Sequence, residues 1–279
     1  MQFDYTILKL KGERWVPETL KIELNCAQPD DHICRIIRRR RTFYESDLLE
    51  HMAYSGPRGG LFIDVGANIG NHTVYFAKLL ADHVLAIEPS ANLCAVLRSN
   101  LLRNDVTNCT VVHAAAGHES SSGRVITPPD HERNWGKTRV ESTMAEPPAD
   151  NSTETVAIKS LDRILEDAPS TRRWPVALVK IDVEGMELEV LKGSQNLLAK
   201  HRPQLSIELA SRFPRQEAME FLRGFGYRAV ASFCATPTFH FIDPTIHSQG
   251  QTPPGLLRSW HMGRLKRIRT LLKGQQTCA

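Results

Sequence analysis

From residue 61 onward, short apolar runs alternate with segments whose apolar residues recur every three to four positions. Residues 61–65, 84–87, 110–114, 177–181 and 205–209 read as strands, and near-continuous apolar runs of this kind fit a parallel sheet covered on both faces. Residues 73–80, 91–102, 186–199 and 215–223 carry the helical period. Residues 227–232 and 238–242 read as a closing hairpin pair. Strands that alternate with helices predict an α/β fold with helices on both faces of the sheet. These runs predict seven strands, mostly parallel, with one antiparallel. Right-handed crossovers line the strand C-termini along one edge, and ligands of such sheets bind there.

The remaining chain falls into three parts. Residues 1–57 predict a cap: mixed alternation through Trp15, Leu20, Ile22 and Leu24 suggests short strands, and residues 31–54 a helical region closed by Gly56-Pro57. The main domain then covers 58–243. Within it, residues 117–155 are rich in Gly, Pro, Ser, Thr and Asn and are too long for a simple strand–helix connection, so they predict an inserted hairpin or lid. Residues 244–279 form a basic tail. Leu257, Leu265, Ile268 and Leu272 share one helical face opposite the cations, which suits peripheral contact with an anionic membrane or a partner.

Charge changes this picture little. The chain has 279 residues and a formal net charge of +4. Arg258, Arg264, Lys266, Arg267, Arg269 and Lys273 lie in the tail; without them 29 basic residues face 31 acidic ones. The body is slightly acidic, so no nucleic-acid partner is expected. The run Arg38 to Arg41 reads as a solvated helix face. The six cysteines form no CxxC pair and match no zinc spacing, which predicts reduced thiols in a cytoplasmic protein. No apolar stretch is long enough to span a bilayer.

The strongest chemical pattern is Phe62-Ile63-Asp64-Val65-Gly66-Ala67-Asn68-Ile69-Gly70-Asn71, a strand that ends in a glycine turn and opens a helix. Gly66 predicts a sharp turn and Gly70 close packing of the helix on the strand. A dinucleotide turn carries a middle glycine that lets the backbone approach a pyrophosphate. Asn68 stands there instead, and Asp64 is unfavourable beside a pyrophosphate but favourable beside a sulfonium or an ammonium. Glu88, followed by Pro89, lies about 20 residues past the turn, where an acidic residue accepts ribose hydroxyls. S-adenosylmethionine fits these charges.

The segments TFYESDLLEHM, FIDVGANIGNHTVYFAK, AIEPS, Asn134-Trp135-Gly136, SLDRIL, VKIDVEGMELEVLKG and SIELA resemble those of the FkbM-type methyltransferases, over residues 42–210. The resemblance implies the Rossmann-like class I methyltransferase fold, S-adenosylmethionine as cofactor, and methylation of a hydroxyl oxygen on a sugar, glycan or small natural product. Asp64, Gly66, Ala67, Asn68, Gly70, Asn71, Glu88 and Pro89 are the expected cofactor residues. Asp182 and Glu184, just past the fourth strand, and His72 are candidates for the base that takes the hydroxyl proton. Asn134, Trp135 and Glu208 are candidates for the lid and acceptor side. No dense acidic cluster is visible along the chain, so no metal is expected.

Overall fold

The computed structural model describes residues 1–11, 14–28, 30–129, 134–142 and 154–246. The tail residues 247–279, with the amphipathic helix expected there, lie outside the described residues. The chain opens with β1 (Gln2–Lys11) and β2 (Arg14–Glu23), an antiparallel hairpin longer than the short strands expected. The single helical region expected over 31–54 is two helices, α1 (His32–Arg40) and α2 (Ser46–Ser55). Arg41 and Glu45 both take left-handed backbone between them, at φ 51° and 55°. Neither is glycine, so the break carries no sequence marker.

There follow β3 (Leu61–Val65), α3 (Asn71–Leu79), β4 (His83–Glu88), α4 (Ala91–Arg103) and β5 (Cys109–His113). The inserted stretch folds as β6 (Ala115–Gly117), β7 (Ser121–Ile126), β8 (Arg139–Ser142) and β9 (Thr155–Ser160). Strands β7 and β8 form the expected hairpin, and β9 joins it to β6 in a small sheet of order β6-β9-β7-β8. The chain continues through α5 (Leu161–Asp167), β10 (Val176–Ile181), α6 (Glu187–Lys192), α7 (Gln195–His201), β11 (Gln204–Glu208), α8 (Arg212–Gly224), β12 (Arg228–Phe233) and β13 (Thr238–Ile242). The one helix expected over 186–199 is thus two. Gly193 lies between them, and a Cβ there would overlap the Gly117 carbonyl, so close backbone contact with β6 governs the break.

The main sheet has seven strands in the order β12-β13-β11-β10-β3-β4-β5, with β13 antiparallel to both neighbours and the others parallel. This is the class I methyltransferase fold. Alternation along β3 divides the core. Phe62 faces a cluster with Tyr5, Phe43, Leu48, Tyr75 and Leu97, whereas Leu61, Ile63 and Val65 face α5, α6, α7 and α8. Tyr5, Phe43 and Tyr75 meet edge to face, with centroids 5.0–5.5 Å apart. The N-terminal segment therefore shares one core with α3 and roofs the strand C-termini on that face.

Cys26 and Cys34 form a disulfide, which corrects the expectation of six reduced thiols. The turn before α1, held by Asp31 at its N-terminus, brings the buried face of the helix back onto the loop that carries Cys26. Cys94, Cys109 and Cys234 are free, and Cys278 lies outside the described residues. No helix among the described residues is long and apolar enough to cross a membrane.

Candidate active site

A cavity of about 650 Å³ opens over the C-terminal ends of β3, β4, β10 and β11, a size that suits a small-molecule site. Its floor is the glycine turn. Gly66 has φ 79°, and a Cβ there would overlap the Asp182 carbonyl oxygen, so the turn lies directly on the end of β10. Asn68 is left-handed at φ 50°, which asparagine tolerates better than most residues, and its Oδ1 accepts from Ile69 N at 2.6 Å. Gly70 is also left-handed, but the residue a Cβ would strike is Leu97 of α4. The close packing expected of Gly70 against the strand is thus against a helix.

Glu88 ends β4 and receives two backbone N–H groups, Asn68 N on Oε2 at 2.8 Å and Ser90 N on Oε1 at 3.0 Å. Burial pushes its carboxyl up to about 7, and these two bonds act against the rise. Each oxygen keeps a lone pair for a further donor. Glu88, Pro89, Ala67, Asn68, Asn71 and His72 all line the cavity.

Asp64 departs from expectation. Alternation turns it with Phe62 onto the α3 face, where it is fully buried behind the cavity wall. Thr73 Oγ1 donates to it at 2.6 Å, and Lys180 Nζ stands 3.4 Å away. It reaches the cavity only through Lys180, whose side chain is 3% exposed and whose ammonium also meets Asp182 at 3.3 Å. Sequence reading had not singled out Lys180, because a lysine inside a strand carries no local marker of its partners. Burial alone would lower the Lys180 ammonium, but the Asp182 and Asp64 charges outweigh it and hold it above the usual lysine range.

Asp182, Glu184 and Glu208 converge, with carboxylate oxygens within 4.8 Å of one another. This corrects the expectation of no dense acidic cluster: Glu208 arrives from the neighbouring strand β11, which linear spacing does not reveal. Burial would raise Asp182, yet Lys180 and a hydrogen bond with Glu208 hold it below the usual carboxylate range. Burial, then the hydrogen bond with Asp182 and its charge, push Glu208 up to about 10. The two shifts run in opposite directions because the carboxyls share a proton, with Glu208 raised and Asp182 lowered. Burial, then the charges of Asp182 and Glu187, push Glu184 up to about 7.

The roof comes from α1 and the inserted stretch. Ile33, Ile36 and Arg40, on one face of α1, line the cavity together with Asn134, Trp135 and Gly136. The rest of the arginine run is solvent-exposed, as expected. Asp31 joins the two pieces: Oδ1 caps α1 at Ile33 N, 2.9 Å, and Oδ2 accepts from Trp135 N at 2.8 Å.

A sequence profile described as the Methyltransferase FkbM domain matches residues 64–251. The chain belongs to the FkbM methyltransferase family. Two curated relatives of this FkbM chain are each 29% identical to it. Hexuronic acid methyltransferase AglP of Haloferax volcanii matches over 154 residues, 55% of this chain and 58% of the relative. Methyltransferase 1 of Beauveria bassiana matches over 149 residues, 49% of this chain and 59% of the relative. The chain thus spans under two thirds of the length of the curated relatives it matches. A crystal structure of an FkbM methyltransferase from Methylobacillus flagellatus KT is 21% identical, with a TM-score of 0.46, and covers 66% of this chain and 43% of its own.

Proposed function

We propose that this FkbM chain transfers a methyl group from S-adenosylmethionine to a hydroxyl oxygen on a sugar, glycan or small natural product. The observation that carries the reading is the charge of the cavity. Its walls hold six acidic groups, Glu45, Asp47, Glu88, Asp182, Glu184 and Glu208, against four cations, Arg40, Lys137, Arg139 and Lys180. Glu208 shares its proton with Asp182, and a bound cation would draw Glu88 and Glu184, held at about 7 by burial, to their ionised forms, which a bound anion would oppose. A cationic methyl donor suits such walls, and a pyrophosphate does not. Glu88 has lone pairs left for ribose hydroxyls beside a turn too crowded at Asn68 for a dinucleotide phosphate. The bound cofactor would supply an electrophilic methyl group on sulfur.

The chain's own residues supply position and proton management. Asp64 acts indirectly, holding Lys180 and the first turn of α3. Asp182 stays ionised beside Lys180 and offsets positive charge on the cofactor. Glu208, protonated, donates to Asp182. Asn134 and Trp135 close over the acceptor. The name of the Haloferax volcanii relative favours an acidic sugar, and Arg40 at the cavity wall suits one. The test is transfer of tritiated methyl from S-adenosylmethionine to a panel of hydroxyl acceptors that includes glucuronic acid and neutral hexoses. Label in an alkali-stable ether supports the reading, and transfer to RNA or protein alone contradicts it.

A further inference from the structure

We infer that Glu45 is the positioning residue of a carboxylate–imidazole pair in which His72 receives the proton of the acceptor hydroxyl. The inference rests on the methyl-transfer reading above.

Glu45 occupies the residue before α2, where a short polar side chain would cap the first N–H groups. Its side chain makes no capping bond, and its backbone is left-handed at φ 55°, ψ 38°. Asparagine or glycine would suit both conditions better. Local stability therefore does not account for glutamate here. The side chain turns inward instead, with only 14% of its surface exposed, and Oε2 stands 3.3 Å from Nε2 of His72, itself 8% exposed. Nε2 is buried and has no aligned hydrogen bond, and the Glu45 carboxylate is the acidic group within ion-pair distance of it among the described residues. The Cys234 thiol, from the turn between β12 and β13, lies beside the same carboxylate, and burial together with that charge pushes the thiol up.

The adjacent residues fix this contact. Tyr44 N donates to Asn71 Oδ1 at 2.9 Å, and Asn71 Nδ2 donates to Tyr44 O at 3.1 Å. Residues 44 and 45 are thus tied in order to residues 71 and 72 at the first turn of α3. Glu45 and His72 both line the cavity beside Asp182 and Glu208.

An imidazole whose Nε2–H faces a carboxylate carries its free acceptor on Nδ1. In the step, a lone pair of the hydroxyl oxygen forms the new C–O bond while the C–S bond breaks and its electron pair stays on sulfur. The hydroxyl proton passes to Nδ1, and Glu45 offsets the resulting imidazolium charge. The other groups fit the task less well. Asp182 is committed to Lys180, and Glu208 already holds a proton.

Two measurements test the pair. Long-range nitrogen–proton spectra of nitrogen-15 protein, with the His72 signals assigned through His72→Gln, report the tautomer without any acceptor. The wild type is expected as the Nε2–H form, Glu45→Gln to keep it through its amide oxygen, and Glu45→Ala to give a mixture. Turnover with glucuronic acid as the probe is expected to fall tenfold or more in Glu45→Ala, with part of kcat kept by Glu45→Gln. In a His72→Ala background the Glu45 substitutions should cost nothing further. S-adenosylhomocysteine affinity of the wild type, measured separately, reports on the methyl-donor reading. The same tautomer in Glu45→Ala as in wild type, or losses that simply multiply in the double variant, would overturn the pairing.

Discussion

Replacing Lys180 by methionine removes the one cation between two carboxylates while keeping side-chain length. Asp64 is fully buried and among the described residues retains only Thr73 as donor; Asp182 is 29% exposed at its side chain and retains Glu208. Breaking a buried ion pair by removing one partner costs about 3–5 kcal/mol. The partial exposure of Asp182 puts the expected loss near the lower end, about 3 kcal/mol. For a chain of this size that lowers Tm by about 6–12 °C. The pH dependence fixes the cause. In the wild type the depressed Asp182 carboxyl contributes stability that is present above its unfolded pKa of about 3.9 and is lost as pH falls through the folded value. The raised Lys180 ammonium contributes stability that is complete below about 10.4 and is lost as pH rises through its folded value. Both contributions are in place between pH 5 and 9, so the variant should lose most there. Below that window proton uptake relieves its unpaired carboxylates, and the deficit should shrink. Urea unfolding of both proteins at pH 4.5 and 7.5 measures this. A deficit under about 1 kcal/mol at pH 7.5, or an equal deficit at both values, refutes the buried ion-pair account.

Three further outcomes follow from the same geometry. Burial holds Glu88 at about 7, so S-adenosylhomocysteine should bind more tightly as pH rises from 6 to 8, because ribose hydroxyls donate to the ionised form. Glu88→Gln should weaken binding by about 1.5–3 kcal/mol and flatten that dependence in calorimetric titrations, whereas a pH-independent wild type contradicts the assignment. Gly66→Ala would drive a Cβ onto the Asp182 carbonyl at a left-handed backbone, so thermal melts and titrations should show both a less stable fold and lost cofactor affinity. Exhaustive treatment with EDTA should leave methyl transfer unchanged, because Lys180 and the Glu208 proton already offset the charge of Asp182, Glu184 and Glu208; loss restored by magnesium would show that the cluster holds an ion.

Much of the frame was legible in the chain because its determinants are local. The apolar run 61–65 is β3 as read, and the glycine turn with Glu88 reached the cavity floor as a unit. The departures all depend on distant contacts. The helical pattern over 31–54 breaks between the left-handed residues Arg41 and Glu45, and Tyr44 within that break is held by Asn71, 27 positions away. Asp64 looked like a cofactor contact by position, but strand alternation turned it behind the wall onto Lys180. Glu208 joined Asp182 only through the pairing of β10 with β11. Glu45 stood within a recognisable segment yet offered no chemical marker, since its partners His72 and Cys234 come from two other elements.

On the function proposed above, this cavity takes a sulfonium methyl donor in place of a dinucleotide. Calorimetric titration of the wild type with S-adenosylhomocysteine, against NAD as control, separates the two. Saturable micromolar binding of the first and none of the second is the predicted result. Binding of NAD without any response to S-adenosylhomocysteine would contradict it.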